Sequence, residues 1–447
     1  MSWRRIYHTW WPLAASWLLM AAELPALSAV VARLDNPVIN LAAYGGVVFP
    51  LALIIESPII MLLAASTALS RDLDSYQKLR RFMMTAGALL TGLHVAVAFT
   101  PLYYVVVEGI LGVPAEIVEP ARIGLQIMTP WTWSIAYRRF NQGVLIRFDH
   151  SRAISAGTVV RLTADLLVLA IGYSLGTIQG IVVATSAVAC GVISEALFIG
   201  FVTRPVVRRE LRPAPAVKEP LTLHAFLNFY IPLAMTSLLL LFVQPIGSAA
   251  ISRMPEALPS LAVWPALSGL IFLMRSLGMA YNEVVVALLD EPGSTQSLRR
   301  FAWALTAIVT VMLLIVAATP LSRFWFGTVQ GLNPRLVEIA VLGLWIALPM
   351  PGLNVLQSWY QGAIVNGKRT RGITEAVVIF LVLMTVLLVA GVSWGQWTGL
   401  YVALAAFSTA MLMQTAWLWY RSRSTLRSTL ERDEREWALS GSEAAAD

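Results

Sequence analysis

Leu18-Leu19-Met20-Ala21-Ala22-Glu23-Leu24-Pro25-Ala26-Leu27-Ser28-Ala29, running on to Arg33, is matched 220 residues later by Leu238-Leu239-Leu240-Leu241-Phe242-Val243-Gln244-Pro245-Ile246-Gly247-Ser248-Ala249, running on to Arg253. The proline, the Ser-Ala pair and the closing arginine are kept. The carboxylate is not: Glu23 stands opposite Val243, with Gln244 beside it. An ionisable group in an apolar segment of this length is costly and calls for a functional reason. A proline inside the segment removes a helical hydrogen bond and permits a bend.

The correspondence extends outward on both sides. Pro12-Leu13-Ala14 recurs as Pro232-Leu233-Ala234, and Leu41-Ala42 as Leu261-Ala262. One residue is then lost and the offset becomes 219. At that spacing Leu79-Arg80-Arg81-Phe82 returns as Leu298-Arg299-Arg300-Phe301, Thr100-Pro101-Leu102 as Thr319-Pro320-Leu321, Pro130 as Pro349, Gln142-Gly143 as Gln361-Gly362, and Arg152 and Ile154 as Arg371 and Ile373. A register kept across apolar and polar stretches alike is an internal repeat.

The composition sets the solvent. With 58% hydrophobic and 13% charged residues and a mean hydropathy of +0.72, the chain is a polytopic membrane protein. Twelve apolar runs reach the roughly 20 residues needed to span a bilayer. The expected fold is all-α: twelve transmembrane helices as two parallel six-helix repeats around a central cavity. The expected organisation is an N-terminal lobe over 1–203, a cytoplasmic linker over 204–222, a C-terminal lobe over 223–420 and a solvated tail over 421–447. Helix 3 is expected to start near Phe82, and helix 4 to run from Pro120 to Tyr137.

The 32 basic residues do not form a polyanion-binding surface, because 25 of them fall in alternate loops and the termini, against five on the opposite side. By the positive-inside rule both termini are cytoplasmic, in the cell membrane. Cys190 has no cysteine partner, which excludes disulfides within the chain and cysteine-based metal sites. There is no P-loop, metal-ligand cluster or nucleophile motif. The reading is therefore of a non-enzyme with no cofactor beyond a coupling H+ or Na+, no nucleic-acid partner and a monomeric state.

Two parallel repeats of six spans, related by an axis along the membrane normal, suit transport by alternate exposure of a shared cavity. Glu23, with Pro25, is the candidate ion-coupling site: a carboxylate that can take a proton or hold a cation beside a flexible turn. Glu56 and Arg275 are repeat mates at the offset of 219 and are candidates for an inter-lobe gate or a substrate contact. Arg161 and Asp165, spaced i, i+4, can pair on one helix face. Gln244, Asn282 and Asn354 are further cavity candidates. Glu195 and Glu283 are placed nearer the cytoplasmic ends, within snorkelling reach of water, and His94 is read as a packing residue.

The bent first helix with its acid and proline, and the Gln142-Gly143 and Gln361-Gly362 segments followed by Arg152 and Arg371, resemble the multidrug/oligosaccharidyl-lipid/polysaccharide (MOP) exporter superfamily. The chain looks like its multidrug and toxic compound extrusion (MATE) type. Around helices 4, 5 and 10 it also resembles the progressive ankylosis type of anion exporter. The resemblance implies efflux of a small organic solute as an antiporter driven by a proton or sodium gradient, with Glu23 where extrusion-type members carry a coupling acid. Alternatives are an organic anion or pyrophosphate exporter, a lipid-linked precursor flippase and, outside transport, a membrane enzyme or scaffold.

Overall fold

The computed structural model describes residues 2–217, 220–367 and 371–443. Among these there is no strand. Eleven helices are long and apolar enough to cross a membrane: helix 1 (Trp3–Val31), helix 2 (Pro37–Leu69), helix 3 (Leu73–Phe99), helix 5 (Arg152–Leu175), helix 6 (Gly180–Leu211), helix 7 (Leu223–Ser252), helix 8 (Ala257–Leu288), helix 9 (Thr295–Ala318), helix 10 (Pro334–Asn366), helix 11 (Arg371–Trp394) and helix 12, from Gly399. The remaining span, helix 4, is too polar to be counted with them and is built from Ala115–Ile127 and Thr129–Arg147.

Local chemistry explains where several helices start and stop. Helix 3 starts nine residues before the expected Phe82 because Asp72 caps it: its Oδ1 accepts from Ser75 N at 2.9 Å, and the Ser75 hydroxyl answers Asp72 N at 3.1 Å. Helix 4 continues past Tyr137 to Arg147, carrying Arg138 and Arg139 into the bundle. Helix 6 runs on through a wide turn at Val207–Leu211, so the connection to helix 7 is shorter than the expected linker. Helix 12 continues without a break to Glu443. Its far end is not simply solvated, since the Arg432 guanidinium donates to Leu289 O at 3.0 Å and the Asp433 carboxylate accepts from Thr295 N.

The chain folds as two compact units, one of Met1–Pro25 with Ala266–Asp447, the other of Ala26–Pro265. It crosses from one to the other beside two prolines, Pro25 and Pro265. These packing units cut across the two halves of the repeat. The start of helix 1 packs with the C-terminal half: Ile6, Trp10 and Ala14 are buried with Leu277, Tyr281, Leu298, Phe301 and Trp359. Trp10 Nε1 donates to Leu277 O at 2.9 Å. In the other unit Tyr230 of helix 7 donates to Pro58 O at 2.5 Å. Trp10 and Tyr230 are repeat mates, and so are Pro58 and Leu277, so the same hydrogen bond is made twice with the helices exchanged.

The repeated glycines serve the same packing. A Cβ on Gly143 would lie 2.5 Å from Leu63 O, and one on Gly362 2.6 Å from the Val285 side chain. Each glycine lets the fourth helix of its repeat press against the second.

Candidate functional site

Helix 1 is interrupted at Ala22, between Trp3–Ala21 and Glu23–Val31. Helix 7 is interrupted at the matching Phe242, between Leu223–Leu241 and Val243–Ser252. Both breaks lie three residues before the shared prolines. Proline has no N–H, so it leaves the carbonyl of the residue four positions earlier, Ala21 in the first case, without its helical donor. Glu23 opens the second segment of helix 1 and is half-buried. Pro25 is held in its own unit by Gln330, whose Nε2 donates to Pro25 O at 3.2 Å, and it lies against Gly269. Gln244 is half-buried at the equivalent break of helix 7.

The unit of Ala26–Pro265 holds a buried charge network that gathers Glu56, Arg161, Asp165 and Glu195, all singled out in the sequence, with Arg138 and Arg139, which were not. Arg138 of helix 4 and Glu195 of helix 6 form an ion pair, at 6% and 1% exposure. The other Glu195 oxygen accepts from Gln142 Nε2 at 3.0 Å. Arg161 and Asp165 of helix 5 pair at 3.8 Å, with the Asp165 carboxylate seated where a methyl on Gly191 would collide with it. Glu56 of helix 2 is buried, its Oε2 has no hydrogen-bond partner, and it lies in the field of Arg138, Arg139 and Arg161. Three arginines thus face three carboxylates in an interior where charges persist only when paired.

Glu195 therefore does not reach water by snorkelling; it is held inside the bundle by Arg138 and Gln142. Arg138 and Arg139 escaped sequence reasoning because a pair of arginines after Tyr137 resembles a loop. The signal against a loop was the apolar Val144-Leu145-Ile146 beyond them.

The other repeat makes the same contact without charge. At the offset of 219, Arg138 corresponds to Gln357 and Glu195 to Gln414. Gln357 Nε2 donates to Gln414 Oε1 at 3.1 Å and lies as close to Thr415 Oγ1. Arg161 and Asp165 correspond to Phe380 and Met384, both buried. One framework holds a hydrogen-bonded amide pair in one repeat and an ionic network in the other.

In the unit containing Ala266–Asp447, Arg275, Gly278 and Asn282 lie on one face of helix 8. A Cβ on Gly278 would sit 2.9 Å from Asn354 Oδ1, a buried oxygen with no hydrogen-bond partner. Asn282 Nδ2 donates to Ser358 O at 3.3 Å. Arg275 is half-buried, its Nε lacks a hydrogen-bond partner, and it has no ion pair among the described residues. Glu283 is exposed and takes a long contact of 3.4 Å from Trp17 Nε1. His94 has both ring nitrogens engaged, with Thr132 Oγ1 at 2.8 Å and Leu125 O at 3.0 Å, which is the bonding of a buried packing residue. Among the described residues no three of His, Cys, Asp and Glu gather into a metal-binding group.

The chain is an all-helical bundle of candidate membrane spans whose first helix in each repeat is interrupted ahead of a proline. Solved structures of MATE transporters share this fold. The chain matches an inward-facing multidrug resistance MATE transporter of the MOP superfamily with a TM-score of 0.71 at 13% identity, over 92% of this chain and 96% of that one. An outward-facing member matches with a TM-score of 0.60 at 15% identity, over 95% and 96%. A MOP superfamily transporter of Pyrococcus furiosus, for which reversed polarity of the binding pocket suggests a different function, matches at 0.59 and 14% identity, over 93% and 95%. No family model matches the sequence, and neither does any curated protein.

Proposed function

We propose that this protein is a secondary active exporter of a small organic solute, working by alternating access and driven by a proton or sodium gradient, with Glu23 as the coupling group. The observation that carries the reading is the place of Glu23. It sits at the helix break ahead of Pro25, where the chain makes one of its two crossings between compact units. A carboxylate whose charge changes at that point can alter the shape of the segment joining the units. Its repeat mate Val243 cannot, although the same break is present in helix 7. The MATE fold supports export as the direction of transport.

The remaining assignments follow from the same reading. With Arg138 and Arg139 inside helix 4, the helix ends, loops and termini on the terminal side hold 23 basic residues against five opposite. This supports cytoplasmic termini in the cell membrane. Arg275, with the Asn354 oxygen one helical turn along the same face, is suited to hold an anionic or amide group of the solute. The test is efflux from proteoliposomes under an imposed proton or sodium gradient, with cationic dyes and organic anions as substrates. Gradient-dependent efflux of one class supports the proposal; passive leak alone in both gradients refutes it.

A further inference from the structure

At the end of the unit of Ala26–Pro265 that carries its basic loops, helices 3, 4 and 6 enclose a cavity of about 350 Å³. Its lining includes Arg80, Arg204, Arg208 and Arg212, beside apolar Met83 and Phe140. None of the four arginines is in an ion pair among the described residues. Among the described residues, the acids nearest in sequence are engaged elsewhere. Glu210 bonds His150 at 2.7 Å, Asp74 pairs with Lys78 at 2.7 Å, and Asp72 accepts from the backbone N–H groups of Ser75 and Val217. Four guanidinium groups around one small cavity, none paired with a carboxylate among the described residues, form a site for a multiply charged oxyanion, because the guanidinium fork matches phosphate geometry.

The other repeat carries different side chains at the corresponding place. At the offset of 219, Gly200, Arg204 and Arg212 become Trp419, Arg423 and Glu431. Gly200 is tight against Tyr137, with no room for a side chain. Trp419, in contrast, carries the Arg423 guanidinium stacked 3.6 Å over its ring. Gly200 thus lets Tyr137 of helix 4 come close to helix 6 at the wall of the cavity, where the other repeat carries an exposed indole.

A second hollow, of about 510 Å³, adjoins the first and shares Gln77 and Arg80 with it, adding Arg81, Met84 and Thr85. From there Arg81, Thr85, Leu89 and Leu93 follow one another at four-residue steps along helix 3, on one face. Leu89 and Leu93 are among the exposed large apolar residues. Basic residues at a membrane-helix end that lead onto an exposed apolar stripe match the two parts of a phospholipid.

We propose that this cavity is a binding site for the phosphate headgroup of an anionic phospholipid, with the acyl chains lying along the Leu89 and Leu93 face of helix 3. The test uses the full-length protein purified in detergent. Retention of cardiolipin, phosphatidylglycerol and phosphatidylcholine is followed by native mass spectrometry, with inorganic pyrophosphate as the soluble comparison. Three variants are compared with the wild-type chain: R80Q/R204Q, G200W, and R299Q/R427Q, which removes two charges from the equivalent end of the other repeat.

The anionic lipids are expected to be retained over phosphatidylcholine. R80Q/R204Q should weaken that retention about 30-fold, from roughly one kcal/mol per surface arginine. G200W should weaken it while keeping every charge, and R299Q/R427Q should leave it unchanged. Should G200W fail to give monodisperse protein, the two arginine pairs decide. Equal losses in both arginine pairs, or no loss in R80Q/R204Q, would overturn the site. Tight pyrophosphate binding that is lost in R80Q/R204Q, with no anionic lipid retained, would overturn the lipid as its ligand.

Discussion

Replacing Glu195 by Gln removes one charge from the most deeply buried ion pair of the network. Arg138, at 6% exposure, is left with an amide in place of its carboxylate. Removing one partner of a buried pair costs about 3–5 kcal/mol, because the other charge stays desolvated and uncompensated. R138Q leaves the Glu195 carboxylate with only Gln142 as donor and is expected to cost a similar amount. The double variant R138Q/E195Q recreates the pair that the other repeat already forms, Gln357 with Gln414 at 3.1 Å. It is expected within about 1 kcal/mol of wild type, since buried ion pairs are often replaced without loss when both partners change. For a cooperative unit of the size of Ala26–Pro265, 1 kcal/mol moves the melting temperature by about 2 °C. The single variants should then melt roughly 6–10 °C below wild type, and the double variant within about 2 °C of it. Intrinsic tryptophan fluorescence in detergent reads this directly. A double variant as unstable as the sum of the two singles would refute the reasoning, and so would singles that melt with the wild type.

The glycines at the repeated helix contacts give a paired test. G143A and G362A each place a methyl about 2.5 Å from a neighbour, and each should cost roughly 1–3 kcal/mol by overpacking, read as a lower melting temperature of similar size in the two variants. Asp72 is buried at the start of helix 3, and its carboxyl is held below the usual carboxylate value first by the Ser75 hydroxyl, then by the Val217 and Ser75 N–H groups and Lys78. A depressed carboxylate stabilises fully above its unfolded value and loses that contribution as pH falls through the lower, folded one. D72A should therefore cost about 1 kcal/mol at neutral pH, and thermal melts followed towards acid should show the gap from wild type closing below about pH 4.

The repeat was legible from sequence because proline, glycine and short polar motifs keep their spacing when apolar residues drift. The atoms bear it out in Trp10 and Tyr230, which donate to the matching carbonyls of Leu277 and Pro58. Both breaks before Pro25 and Pro245 were legible for the same reason. The exchange of helices 1 and 7 between the packing units was not, since a repeat says which segments are equivalent and not which copy packs on which. The charge network was read only in part. Arg161 and Asp165 announce themselves by their i, i+4 spacing, while Arg138 and Glu195 lie 57 positions apart and meet only through the packing of helix 4 on helix 6. Arginine also marks loop ends in membrane chains, which hid Arg138 and Arg139 in an apparent loop.

The most direct test of the coupling claim separates exchange from gradient-driven accumulation in E23Q proteoliposomes. Glutamine keeps the size and hydrogen bonding of the side chain and removes its titration. The account predicts that E23Q still exchanges labelled solute for unlabelled solute across the bilayer, while an imposed proton or sodium gradient no longer drives net accumulation. Gradient-driven accumulation at the wild-type level in E23Q would contradict it.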